Sequence, residues 1–213
     1  MEKARGRING WVIALALPVV AIFLAFCVGR YFYHPYYIPS ESMMPTFKVD
    51  DLILVDTRAG HPPRIGDIVV ARLGKSVRIV RIVARGGDRV EVRLGVPFIN
   101  GVAARQQAAG SVTYTATEGP VTAQRLIEQL PGEQGTHHIL DIEQGYSDGD
   151  TFAETRVPAG HIFALGDNRD RAADSRFGPE TFGLGMAPES DIIGTVAVIY
   201  GSPDRSRVWT KPQ

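Results

Sequence analysis

The chain has 213 residues, and its 23 lysines and arginines are matched by 23 aspartates and glutamates. That balance argues against a nucleic-acid binder, which carries a basic excess; the length suits one domain with room for an inserted lobe. The single cysteine, Cys27, excludes an intrachain disulfide.

The first predicted element is apolar. Residues 11–29 read WVIALALPVVAIFLAFCVG and carry no charge. As a helix this stretch spans about 28 Å, close to the hydrocarbon thickness of a bilayer. Pro18 is tolerable in such a helix. Lys3, Arg5 and Arg7 precede it, and Arg30 is the only cation between it and Lys48. The bias of basic residues predicts a cytoplasmic tail over 1–10, a transmembrane helix over 11–29 and an extracytoplasmic domain over 30–213. Tyr31, Phe32, Tyr33, Tyr36 and Tyr37 fall where an interfacial aromatic belt belongs. A cleaved signal peptide would have a shorter apolar region, about 7–15 residues. Leu24-Ala25-Phe26-Cys27 partly resembles a lipoprotein signal, but Phe26 stands where a small residue is expected.

Next comes Ile38-Pro39-Ser40-Glu41-Ser42-Met43-Met44-Pro45-Thr46-Phe47. The two prolines restrict this segment to extended or turn geometry and hold its serines in a stiff loop. Short β-branched runs follow at 52–55, 68–72, 77–83, 90–93 and 196–200, punctuated by Gly66-Asp67, Gly74, Gly86-Gly87-Asp88 and Asn100-Gly101. Thr122 to Leu130 reads as one short helix ended by Pro131-Gly132. Residues from about 100 to 157 are more polar and read as a lobe inserted between two halves of one core. The fold class expected is mainly β: one N-terminal transmembrane helix, then an all-β domain with an inserted lobe. Phe182-Gly183-Leu184-Gly185-Met186 is an apolar loop that could face lipid or turn into the core.

Two stretches, the Ser42 segment and Gly166-Asp167-Asn168-Arg169-Asp170-Arg171-Ala172-Ala173-Asp174-Ser175-Arg176, together resemble the type I signal peptidases. Arg81, Gly87-Asp88-Arg89-Val90, Pro97-Phe98-Ile99-Asn100-Gly101 and Val157 to Phe163 extend the likeness. The resemblance implies a signal-peptidase-type β domain and a serine endopeptidase that removes signal peptides from exported proteins. It implies Ser42 as nucleophile and Ser40 as an oxyanion-hole partner. Asp167, Asn168, Arg169, Asp174, Arg176 and Arg81 then give structural support, and Tyr36, Ile38 and Ile79 line shallow pockets for small substrate side chains. The partners implied are membrane lipid and signal peptides, with no nucleic acid, metal or cofactor. The location implied is the bacterial inner membrane, single-pass, with the domain on the outer side.

The chain departs from this family at two positions. The family's bacterial members carry a lysine base directly before the arginine that leads to the Gly-Asp turn. Arg81 and Gly87-Asp88 fix that register, and the lysine position is Val80. The serine that steadies the lysine is replaced by Ala172. Base and supporter are both apolar, which motivates a second reading: a catalytically silent homologue that binds signal-peptide-like segments or scaffolds a membrane complex. Arginine cannot substitute, because a guanidinium stays protonated. Lys75, Lys48, His61, His34 and His161 are the remaining candidates for a base.

Overall fold

The computed structural model describes residues 10–58, 63–116, 118–142, 145 and 147–212, with the side chains of 10–14 and 24–28 outside that set. The tail over 1–9 and His61 therefore lie outside the described residues. The first helix, α1, runs Gly10–Phe32 and passes through Pro18. Its described side chains face outward, with Leu15, Leu17, Ile22 and Phe23 each more than 60% exposed. Among the described residues, no helix is long and apolar enough to cross a membrane. The expectation of a spanning helix over 11–29 is not borne out on that set.

Among the described residues, fourteen strands follow. β1 is Tyr33–Tyr37, β2 Leu52–Asp56, β3 Ile68–Leu73 and β4 Ser76–Arg85. β5 is Arg89–Arg93, β6 Val96–Ile99 and β7 Val102–Ala103. β8 (Arg105–Ala116), β9 (Gly119–Gln129) and β10 (His137–Asp141) come next, then β11 (Thr151–Arg156) and β12 (His161–Leu165). β13 (Ala187–Pro188) and β14 (Ile192–Gly201) complete the set. The largest sheet has the order β1-β2-β14-β3-β4-β12-β13. A second sheet is β11-β5-β6-β7, and a third is β10-β9-β8.

Four of the five β-branched runs read from sequence form strands of the large sheet, where both faces are covered, and 90–93 forms β5 of the second sheet. Val69, Val70, Ala71, Ile82, Val83 and Ala84 are all fully buried. Side chains alternate across a strand, so neighbours in β3 and β4 feed different clusters. Val70, Ile53, Phe47 and Met43 pack on one side, while Val69, Val80, Ile82 and Leu184 pack on the other. Asn100 and Gly101 both have positive φ, 53° and 80°, as a type I′ hairpin turn between β6 and β7 requires.

One feature of β4 positions the site. Residues 76–80 pair with β3, from Leu73↔Ser76 to Val69↔Val80. Pairing with β12 begins only at Arg81, opposite Leu165. Among the described residues, the other edge of 76–80 therefore carries no strand.

The helix expected over Thr122 to Leu130 is instead β9, paired along its length with β8 and over its C-terminal half with β10. Cross-strand pairing overrides local helix propensity here. Residues 105–141 carry the third sheet, whereas β7 and β11 belong to the sheet of β5 and β6. The loop at 182–186 divides: Phe182 is 80% exposed and Leu184 only 3%.

Candidate active site

Ser42 sits in a loop anchored from below. Met43 and Phe47 are fully buried, and the Phe47 amide donates to the Met43 carbonyl at 2.9 Å. Ile38 exchanges main-chain bonds with the Asp50–Asp51 turn at 2.9 and 3.0 Å. Asn168 clamps the loop from the side. Its amide donates to the Ser42 carbonyl at 3.1 Å, and its Nδ2 donates to the Glu41 carbonyl at 3.0 Å. The same Nδ2 reaches the Tyr114 hydroxyl at 2.9 Å, which ties β8 to the loop. Ser40 and Ser42 hydroxyls lie 3.2 Å apart.

The loop forms one wall of a cleft of about 410 Å³. Tyr36, Ile38, Ile79 and Val80 line it, as do Ser40, Ser42 and Ala172. The structure thus brings together both predicted serines, all three predicted pocket residues and both substituted positions. The unpaired edge of β4 contributes Val77 to Val80 to the opposite wall. Ala172 sits hard against the floor. A Cβ built on Gly166 would lie 2.3 Å from the Ala172 Cβ and 2.7 Å from the Ser42 carbonyl oxygen. Only glycine fits there, and its close approach lets Ala172 and the Ser42 main chain meet.

Most of the predicted supporting residues lie behind the cleft and do not line it. Arg81 grips the Asp167 carboxylate with two parallel bonds, Nε to Oδ1 at 2.8 Å and Nη2 to Oδ2 at 2.7 Å. Thr46 donates to the same carboxylate at 2.5 Å. This fork-to-fork geometry joins β4, the Gly166–Asn168 turn and the end of the Ser42 loop in one buried knot. Asp174 accepts from the Gly166 amide at 3.0 Å and from Arg176 through both oxygens, at 2.9 Å each for Nε and Nη2. Of the supporting set, Asp174 alone also reaches the cleft lining.

Arg169 leads to residues the sequence did not single out. It bonds Glu128 on β9 through both Nη atoms and the Gly166 carbonyl through Nε at 3.2 Å. Glu128 in turn meets His137 Nε2 at 3.2 Å, and His137 Nδ1 meets Glu133 at 2.9 Å. His137 and Glu128 are fully buried. Burial opposes charge on Asp167, but Arg81, then His137 and Thr46, outweigh it and hold the carboxyl below its ordinary range. Burial likewise opposes charge on Glu128, and Arg169 and His137 drive its carboxyl far down. Burial also works against a charged His137, but its bonds to Glu128 and Glu133 prevail and raise it. The imidazole lies between two carboxylates, an arrangement that favours its charged form.

None of the described candidates for a base lines the cleft. Lys48 pairs with Asp204 at 3.1 Å. Lys75 is exposed on the turn between β3 and β4, and His34 is exposed on β1. His161 Nδ1 contacts the Ala159 carbonyl at 3.0 Å. The cations that do line the cleft are Arg78, which donates to the Phe182 carbonyl, and Arg171, which pairs with Glu118. Among the described residues, no three His, Cys, Asp or Glu side chains come together as a metal site.

Residues 10–201 match the family described as Signal peptidase, peptidase S26. Signal peptidase I of Pseudomonas aeruginosa is 31% identical, over 86% of this chain and 70% of its own length. Signal peptidase I of Aquifex aeolicus is 28% identical, over 90% and 83%. Signal peptidase I U of Bacillus subtilis is 29% identical, over 89% and 86%. With the family match running from α1 to the last strand of the large sheet, this chain belongs to the signal peptidase, peptidase S26, family.

Proposed function

We propose that this chain receives the signal peptides of exported proteins at the bacterial inner membrane, in a cleft of signal peptidase I type whose serine lacks a proton acceptor. The observation that carries this reading is the cleft lining: Ser42 and Ser40 with Val80 and Ala172, and no lysine or histidine among the described residues. A bound segment adds as a strand to the free edge of residues 76–80, through main-chain hydrogen bonds. Ile79, Ile38 and Tyr36 offer apolar surface for small side chains on its alternate positions. Membrane placement is supported by the uncharged run over 11–29 and by the outward-facing apolar side chains of α1. In this reading α1 is the single-pass anchor, and the β domain stands outside the membrane. Tyr31 and Phe32 meet edge-on at 4.9 Å where the chain would leave the bilayer.

A serine hydroxyl attacks a peptide carbonyl only when a base takes its proton. Loss of such a group costs on the order of 10⁶ in rate. Binding needs no base, so recognition survives where turnover does not. A second reading, a working endopeptidase, is favoured by one observation: the Ser40 and Ser42 hydroxyls keep hydrogen-bond distance at 3.2 Å. There Ser42 attacks, Ser40 and the Ser42 amide hold the oxyanion, and the base comes from outside the cleft lining.

Equilibrium binding of a labelled signal-peptide segment with alanines before the cut separates recognition from chemistry. The native chain and Ser42→Ala should bind alike, and Ile79→Asp should bind at least tenfold more weakly. Equal binding by Ile79→Asp would show that the segment sits elsewhere.

A further inference from the structure

A second concavity, of about 590 Å³, lies where three parts of the fold meet. Met44, Pro45 and Thr46 bring the end of the Ser42 loop to it. Arg125 and His138 reach it from β9 and β10, and Arg207 and Lys211 from the chain beyond β14. Lys48 completes the rim, and no aspartate or glutamate lines the pocket.

The charge accounting there is one-sided. Lys48 is offset by Asp204 at 3.1 Å, and Arg207 by Asp51 at 2.8 Å. Arg125 gives Nε and Nη2 to the Ala109 carbonyl, at 3.2 and 3.0 Å. Among the described residues, no carboxylate pairs with Arg125 or with Lys211. Two residues of the lining also carry a buried nitrogen with no hydrogen-bond partner among the described residues, Nδ1 of His138 and Nε of Arg207. Buried polar atoms without partners are rare in folded proteins and call for a ligand, a water or an ion. They lie beneath a concave surface on which Arg125 and Lys211 are exposed and pair with no described carboxylate.

We infer that this pocket is an anion site for a phosphate group, either free or on a lipid headgroup. Phosphate fits better than a carboxylate because its tetrahedral oxygens can meet donors from several directions, as these three segments supply them. Arginine forks suit phosphate in particular. A bound phosphate would tie β9, β10 and the C-terminal segment to Met44–Thr46, and so brace the end of the Ser42 loop. The inference stands independently of whether Ser42 turns over.

The test uses the full chain in neutral detergent, with two probes: inorganic phosphate and a soluble short-chain phosphatidic acid. Each is titrated at constant ionic strength and followed by thermal shift and calorimetry. Saturable binding is expected for at least one probe. An Arg125→Gln, Lys211→Gln double variant should weaken it at least tenfold, and Arg72→Gln, an exposed charge outside the pocket, should leave it unchanged. Tighter binding of the phosphatidic acid assigns the site to a headgroup; equal binding assigns it to free phosphate. No saturable binding by either probe, or equal weakening by Arg72→Gln, overturns the site.

Discussion

Two regions meet at Ser42, and they treat charge in opposite ways. Behind the loop lie Arg81–Asp167, Arg176–Asp174 and the Arg169–Glu128–His137–Glu133 chain, all paired and largely buried. In front of it lie Val80 and Ala172, both apolar and buried. Ionic groups kept out of water need partners and good geometry, so the rear network can only persist as a set. It holds the Gly166–Asn168 turn against the Ser42 main chain, which shapes a cleft. Shaping a cleft and moving a proton are separate demands. This chain meets the first with the network intact and supplies no lysine or histidine for the second among the described cleft residues.

The sharpest way to break that contrast is to restore charge in front. A Val80→Lys, Ala172→Ser double variant should gain cleavage of a preprotein in detergent by at least ~10³-fold, toward the ~10⁶ that separates a serine site with and without its base. A folded double variant that stays inert would show that position 80 does not face the reacting hydroxyl.

The next largest effect lies behind the cleft. Asp167→Ala strands the Arg81 guanidinium in a buried site and should cost about 3–5 kcal/mol of stability, measured by denaturant unfolding. A loss under about 1 kcal/mol would mean that water reaches this pair and screens it. Asn168→Ala removes the bonds to Glu41 and Tyr114, keeps the main-chain bond to Ser42, and should cost about 1–3 kcal/mol. Its signature is weaker binding of the signal-peptide segment than in a distant variant of equal stability.

The smallest effect concerns pH. The His137 imidazole is raised, so the stability it contributes is full below its unfolded value, near 6.5, and fades as pH climbs through the folded value. Asp167 and Glu128 are lowered and act in the other sense: their contribution is present above the ordinary carboxylate range and lost on acidification. Thermal melting should therefore decline on the alkaline side for the native chain and less steeply for His137→Gln. Parallel alkaline limbs would contradict a charged His137.

Much of this contrast was legible in the sequence. Four of the five β-branched runs mark strands of the large sheet, because strands buried on both faces read as continuous apolar stretches. The register between Arg81 and Gly87-Asp88 placed Val80, and the structure puts it in the cleft with Ser42 and Ala172. The third sheet was not legible. β8 is exposed along most of its length, so no clean alternation marks it. β9 contains Gln124, Arg125, Leu126 and Glu128, residues that favour helix when read locally, and only pairing with β8 and β10 makes it a strand. Glu128, His137 and Tyr114 join the site through contacts between segments far apart in the chain, such as Arg169 to Glu128, and local sequence carries no trace of such pairing.

The most direct test of the account is a single-turnover cleavage assay in which the native chain, saturated with a signal-peptide-bearing preprotein, is compared with Ser42→Ala across neutral to alkaline pH. Tight binding by both proteins and the same background rate of product are expected. Faster cleavage by the native chain, lost in Ser42→Ala and falling below the pKa of a single group, would reveal a working base and contradict it.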